Sequence, residues 1–391
     1  MPTDWRTRLI HPSRRAPEGF RSLATATHRG STTLFGKAAD LEDNWKQREG
    51  YTYGLFGTPT ARELALRVAE LEGAEESFLA PSGLAAIALV WFAFARSGAH
   101  VLVPDNVYTP NRVLADDLAR RFGVEVEFYD PLCGGDIAGL LREETVLVWC
   151  ESPGSVTMEI QDVPAIAAAA HARGARVALD NTYAGGVLFD AFTHGADISM
   201  QALTKYVGGH SDLLMGAVSA RDPACREALD RARRLLGLNV SPDDCALALR
   251  GLQTLGVRLA QLEASALAVA RWLDARPEIE TVLHPALPSC PGHDIWRRDW
   301  SGSASLFSVV FDARFDRTAI EAFVDRLRLF GIGYSWGGVA SLALPHFQLH
   351  RHGRGVGERL VRFNIGLEAV DDLIADLAQA LEGVGGVSGE E

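Results

Sequence analysis

The sequence predicts an α/β fold: a mostly parallel central sheet covered by helices, followed by a smaller C-terminal α/β domain. Three observations carry this. Between about residues 56 and 245, short β-branched apolar runs alternate with longer helical ones, the pattern of strands joined by crossover helices. After about residue 250 the order changes and a second, shorter series begins. At 391 residues, 47% of them hydrophobic, the chain is also long enough for two or three domains of about 150 residues each.

In chain order, residues 1–55 are polar, rich in Arg, Ser and Thr, and without a core of their own; they are expected to form an arm. Strands are expected at 101–103, 124–129, 146–149, 176–179, 198–202 and 214–219. Between them, helices are expected at 84–95, 112–122 and 163–171. These elements place a first domain at 56–248. The second, 249–391, opens with a long helix (257–273). It continues through a strand (305–311), a helix (318–329), a strand (360–365) and a last helix (370–381).

The formal net charge of −12 gives the surface no bulk attraction for nucleic acid or anionic membrane. The N-terminal stretch is basic but has no apolar segment of the secretory type. The longest apolar run, Leu84–Ala95, has 12 residues, too few to span a bilayer core, which takes about 20. Five scattered cysteines with no CxxC spacing point to buried thiols in a reducing compartment. A cytoplasmic protein is expected.

The basic residues carry the first chemical signal. Of 38, only Lys37, Lys46 and Lys205 are lysines. A chain so committed to arginine has little use for lysine as generic surface charge, and only lysine can act as an amine nucleophile. Lys37 and Lys46 fall in the polar arm and read as solvated charge. Lys205 stands just past an apolar strand and shortly before Gly208-Gly209, at the edge where open α/β sheets bind ligands. Asp180 ends another strand and points to the same crevice. It is either a turn former or the partner of a charged ring nitrogen. Ala80-Pro81-Ser82-Gly83-Leu84 precedes a helix, where backbone N–H groups and the helix dipole favour an anion; Ser-Gly in that position also serves as a simple cap. Gly30–Lys37 fails as a phosphate loop, with five residues between its glycines and Ala38 where Ser or Thr is required.

Several longer motifs resemble a known family. Tyr53-Gly-Leu-Phe-Gly57-Thr58-Pro59-Thr60, Pro81-Ser82-Gly83, Asp180-Asn181-Thr182 and Thr204-Lys205-Tyr206 with Gly209-His210-Ser211-Asp212 follow the order of the Cys/Met-metabolism family of fold-type I pyridoxal-phosphate enzymes. Glu151-Ser-Pro-Gly-Ser-Val-Thr-Met-Glu159, His284-Pro-Ala-Leu-Pro288, Tyr334-Ser335-Trp336-Gly337-Gly338 and Arg362 with Ile365-Gly366-Leu367-Glu368 look like its cystathionine β-lyase branch. The resemblance covers about residues 25–380. It implies a fold-type I architecture, with pyridoxal 5'-phosphate as cofactor.

By the same resemblance, Lys205 matches the lysine that bonds the cofactor as a Schiff base, and Asp180 the partner of its pyridinium nitrogen. Tyr108 matches the aromatic ring stacked on it. Gly83 and Leu84 match the backbone donors to its phosphate, with the Thr204 hydroxyl beside them. Tyr53 matches a tyrosine reaching that phosphate from a neighbouring subunit, which implies at least a homodimer; tetramers are usual in the family. Arg362, Ser335 and Trp336 match the substrate-binding groups, and Arg362 suits a carboxylate because its planar fork pairs bidentately. Two positions depart from the pattern. Leu55 stands where relatives carry an arginine to the phosphate, a role for which Arg62 is one substitute, and Ala202 stands where several carry serine.

The activity implied is β-elimination on L-cystathionine, giving homocysteine, pyruvate and ammonia. The alternatives are a γ-lyase, a γ-synthase or a broader cysteine-S-conjugate β-lyase of the same family. A metal-dependent hydrolase using His346, His350 and His352 is a remote alternative, because Pro345 and the Arg/Gly-rich flank read as a loop and no carboxylate accompanies the three. No metal is expected.

Overall fold

The computed structural model of the protein describes residue 19 and residues 22–41, 50–349 and 358–384. Thr58 starts helix α1 (Pro59–Glu72): its hydroxyl accepts from the Ala61 N–H, and proline takes the first turn, where no backbone donor is lost. Next come β1 (Glu76–Ala80), α2 (Gly83–Phe94), β2 (His100–Pro104), α3 (Thr109–Phe122), β3 (Glu125–Tyr129), β4 (Thr145–Glu151), α4 (Val163–Ala172), β5 (Arg176–Asp180), β6 (Ile198–Gln201) and β7 (Gly216–Ala220). Helices α5 (Pro223–Leu236), α6 (Pro242–Leu252) and α7 (Leu255–Asp274) lead to the second part. It contains β8 (Ile279–Leu283), α8 (His293–Asp299), β9 (Leu306–Phe311), α9 (Arg317–Arg326), β10 (Gly331–Ile332), β11 (Leu342–His346), β12 (Leu360–Asn364) and α10 (Val370–Glu382).

The first sheet has seven strands in the order β1-β7-β6-β5-β4-β2-β3. Strands β2 to β6 are mutually parallel. β7 runs against β6, and β1 runs against β7, so six of the seven strands end at one edge. Both faces are covered. Val101, Val103, Leu147, Trp149 and Ala178 pack with Ile87, Trp91, Leu118 and Leu229 on one side. The alternate residues Leu102, Val148, Cys150, Val177 and Leu179 pack with Ile166, Ala170, Leu259 and Leu262 on the other. Side chains two apart share a face, which accounts for this split, and burial on both faces accounts for the uninterrupted apolar runs.

The second sheet has the order β10-β11-β12-β9-β8, antiparallel apart from the β10–β11 pair. Phe307, Val309, Phe311, Val361 and Phe363 meet Ile320, Phe323, Leu373 and Leu377 of α9 and α10. Strand β11 corrects the sequence reading at His346: the residue ends a strand and does not sit in a loop. Pro345 is tolerated there because the two-residue β10 pairs only as far as Ala343, leaving no partner on that side for the N–H that proline lacks. The long helix expected at 318–329 stops at Arg326, where the cap residue Leu327 is already extended. His350, His352 and Lys46 lie outside the described residues.

Candidate active site

The parallel strands bring their exits together. β1 ends at Pro81-Ser82-Gly83, β2 at Asn106-Val107-Tyr108, β4 at Glu151, β5 at Asp180 and β6 at Ala202-Leu203-Thr204-Lys205. A cavity of about 210 Å³ opens there, lined by Gly83, Leu84, Tyr108, Asp180, Thr204, Lys205, Trp336 and Arg362 among others. Eight of the expected site residues thus share one cavity. A larger cavity, about 310 Å³, follows the outer edge of β1 and gathers none of them.

Lys205 sits in a single tight turn in which its own N–H donates to the Ala202 carbonyl and the Gly209 N–H donates back to its carbonyl at 2.7 Å. Its Nζ donates to Ser335 Oγ at 2.6 Å and lies 5.2 Å from the centre of the Trp336 ring. Burial, and then the charge of Arg362, lower its pKa from 10.5 to about 8, against the opposing pull of Asp180. Ser335, expected from the resemblance at the substrate, is thus in direct contact with the lysine.

Asp180 is buried. Among the described residues both hydrogen bonds to its carboxylate fall on Oδ1, from the Thr182 N–H at 3.0 Å and the Thr182 hydroxyl. Burial raises its pKa; the two Thr182 bonds and the Lys205 charge pull it back. In register beside it, Glu151 ends β4 and accepts from the Tyr108 N–H at 2.8 Å. That bond fixes the start of α3, and with it the Tyr108 ring. Glu151 and Thr182 stand in the sequence motifs quoted above but have no role assigned to them there. The signal for Glu151 was its place at the end of an apolar run, as for Asp180.

Arg362 stands on β12 and is mostly buried, with no ion pair among the described residues. Burial presses its pKa down to about 10. His346, on the neighbouring strand, is pressed to about 4 by burial and by the Arg362 charge. It is therefore neutral, and the described residues hold no metal-binding group of three His, Cys, Asp or Glu.

At the other end of the cavity, Ser82 caps α2 by accepting from the Ala85 N–H at 3.0 Å. The N–H groups of Gly83 and Leu84 are left without intrahelical partners, as in any first turn. A Cβ on Gly83 would come within 2.8 Å of Ala202 Cβ, so only glycine lets this helix start approach the Lys205 turn. The Thr204 hydroxyl is already engaged with Met215, accepting from its N–H at 3.0 Å and donating to its carbonyl at 3.1 Å. Tyr53 does not reach this cavity within its own chain: it is 45% exposed and its backbone bridges to Thr32. Within its own chain, Arg62 donates to the Gly50 carbonyl and stacks on Tyr51.

These residues fit pyridoxal phosphate. An amine of lowered pKa awaits an aldehyde, a buried carboxylate keeps one oxygen for a ring nitrogen, and a helix start offers N–H groups to a phosphate.

The model of the Cys/Met metabolism PLP-dependent enzymes matches residues 6–382. The chain is 42% identical to cystathionine beta-lyase of Bordetella avium over 90% of either chain. It is 39% identical to cystathionine beta-lyase of Escherichia coli, over 95% of this chain and 96% of the other. The crystal structure of cystathionine gamma synthase from Xanthomonas oryzae pv. oryzae, in complex with aminoacrylate and cysteine, superposes with a TM-score of 0.85 at 31% identity, covering 93% of this chain and 94% of the other. With its fold and nearly its whole length in agreement, the chain belongs to the Cys/Met-metabolism PLP-dependent enzymes.

Proposed function

We propose that the protein is a carbon–sulfur β-lyase that cleaves L-cystathionine to homocysteine, pyruvate and ammonia. The observation that carries this is the 2.6 Å contact between Lys205 Nζ and Ser335 Oγ, with Lys205 lining one cavity together with Arg362, a cation without an ion pair among the described residues. A substrate whose α-carboxylate lies on Arg362 and Ser335 presents its Cα–H to the lysine. The names of the two curated relatives support the same reaction.

Bound pyridoxal phosphate supplies an aldehyde for the substrate amine and a ring that takes up electrons. Arg362 holds the carboxylate through two parallel N–H bonds, with Ser335 beside it and Trp336 closing the wall. Lys205 takes the Cα proton and returns a proton to the departing sulfur as the Cβ–S bond breaks. The remaining three-carbon enamine hydrolyses to pyruvate and ammonia. Asp180 would partner the ring nitrogen and Tyr108 would cover the ring. The backbone N–H groups of Gly83 and Leu84 would hold the phosphate, with Thr204 beside them and Tyr53 of a second copy completing that end, so that the working unit is a homodimer or a tetramer built from it. In this reading residues 56–248 bind the cofactor, 249–391 the substrate carboxylate, and 1–55 form the arm that meets a neighbouring subunit. No helix of the described residues is long and apolar enough to cross a membrane, and a cytoplasmic site of action goes with the proposal.

Incubation of the purified enzyme with L-cystathionine is expected to give pyruvate and homocysteine in equal amounts. Formation of 2-oxobutyrate and cysteine would make it a γ-lyase instead. A Lys205→Ala protein that released pyruvate at the wild-type rate would contradict the scheme.

A further inference from the structure

Ser335 holds a backbone conformation that L-residues avoid, with φ of 78°, and such residues persist only where their surroundings fix them. What fixes it starts at the residue after the catalytic lysine. The Tyr206 ring is buried and packs 5.3 Å from the Trp336 ring. Its hydroxyl meets Ser305 twice, accepting from the Ser305 N–H at 3.1 Å and lying 2.9 Å from Ser305 Oγ. Ser305 Oγ donates to Asn364 Oδ1 at 2.8 Å, so in the second contact the tyrosine is the donor. The same Oδ1 accepts from the Gly337 N–H at 2.9 Å, while Asn364 Nδ2 donates to the Ala340 carbonyl at 3.0 Å. The relay therefore grips the Ser335 loop from its C-terminal side.

The other end of Tyr206 is fixed as well. Arg258, buried on α7, donates to the Tyr206 carbonyl at 2.7 Å and to the Gly251 carbonyl at 2.8 Å. Gly337, also at φ 78°, lies so close that a Cβ there would be 3.2 Å from the Lys205 carbonyl carbon. One side chain thus joins the turn that carries Lys205, on the first sheet, to the loop that carries Ser335, beside the second. Asn364 is two residues from Arg362 on β12, so the relay shares a strand with the carboxylate clamp.

We infer that Tyr206 is a positioning residue whose hydroxyl, acting through Ser305 and Asn364, holds Ser335 in register with Lys205. The effect on substrate rests on the proposed role of Ser335 at the carboxylate; the effect on the loop does not. Tyr206→Phe removes only the oxygen. In the holoenzyme, amide hydrogen exchange of the 334–340 segment is expected to rise about tenfold, the scale of one lost buried hydrogen bond. KM for cystathionine should rise by a similar factor of about ten, while kcat stays within about twofold. In a Ser335→Ala background the same change should add nothing to KM, because both act through one group. Unchanged exchange, or a KM penalty that persists undiminished in the Ser335→Ala background, would overturn the inference. Raised exchange with an unchanged KM would keep the relay and remove the carboxylate role from Ser335. If Tyr206→Phe does not fold, Ser305→Ala breaks the relay with the ring left in place and must give the same exchange signature.

Discussion

The nucleophile's protonation is the most direct consequence of the site's electrostatics. Lys205 is shifted from 10.5 to about 8, first by burial and second by Arg362, with Asp180 opposing. At pH 7 an amine with a pKa of 8 is neutral in about one molecule in ten, and one at 10.5 in about one in three thousand, a gain of about 300-fold in the form that attacks an aldehyde. The neutral fraction rises with pH through 8. In the cofactor-free enzyme, labelling with an amine-reactive reagent over pH 6–11, quantified by mass spectrometry, should show Lys205 titrating near 8; exposed Lys37 is the surface comparison. Arg362→Met removes a cation and must move the midpoint up, whereas Asp180→Asn removes an anion and must move it down. A midpoint near 10.5, or a downward move in Arg362→Met, would refute the electrostatic account.

Two further outcomes follow from the same geometry. Arg362→Leu would delete both proposed charge-assisted bonds to the substrate carboxylate, at about 1.5–3 kcal/mol each, so kcat/KM should fall by about 150- to 25,000-fold in steady-state assays, with partial recovery in Arg362→Lys. His284 is fully buried, accepts from the Ala286 N–H, and has its pKa pressed from 6.5 to about 4 by burial and then by Arg271. Between those values the unfolded chain binds more protons, so stability is lost as pH falls through 6.5 toward 4. The loss amounts to about 2 kcal/mol by pH 5. His284→Phe should shrink the fall in the urea midpoint between pH 7 and pH 5.

The sheet was legible wherever burial on both faces left an uninterrupted apolar run, as in β2, β4 and β5. Strand β1 was missed because Glu76–Ala80 is short and opens on Glu-Ser; its place in the sheet comes from pairing with β7, about 140 residues away. Helix α1 was missed although Thr58-Pro59 is a plain start signal. Strand β11 was hidden by Pro345, whose tolerance depends on how short its neighbour β10 is. At the site, Lys205 and Asp180 could be picked out because each is a charge at or just past the end of an apolar strand, whereas Arg362 was marked by the family resemblance. Glu151 has the same signature and was passed over. Thr182 and Tyr206 stand in quoted motifs, but the Tyr206–Ser305–Asn364 relay carries no local signal, since neutral polar side chains from distant segments become a network only once the two sheets meet.

The central claim is that Lys205 bonds the cofactor. Borohydride reduction of the cofactor-loaded enzyme, followed by peptide mapping, tests it in a chain whose other lysines are only Lys37 and Lys46. The account predicts loss of the visible band and one phosphopyridoxyl adduct, on Lys205. An adduct on either other lysine, or none at all, would contradict it.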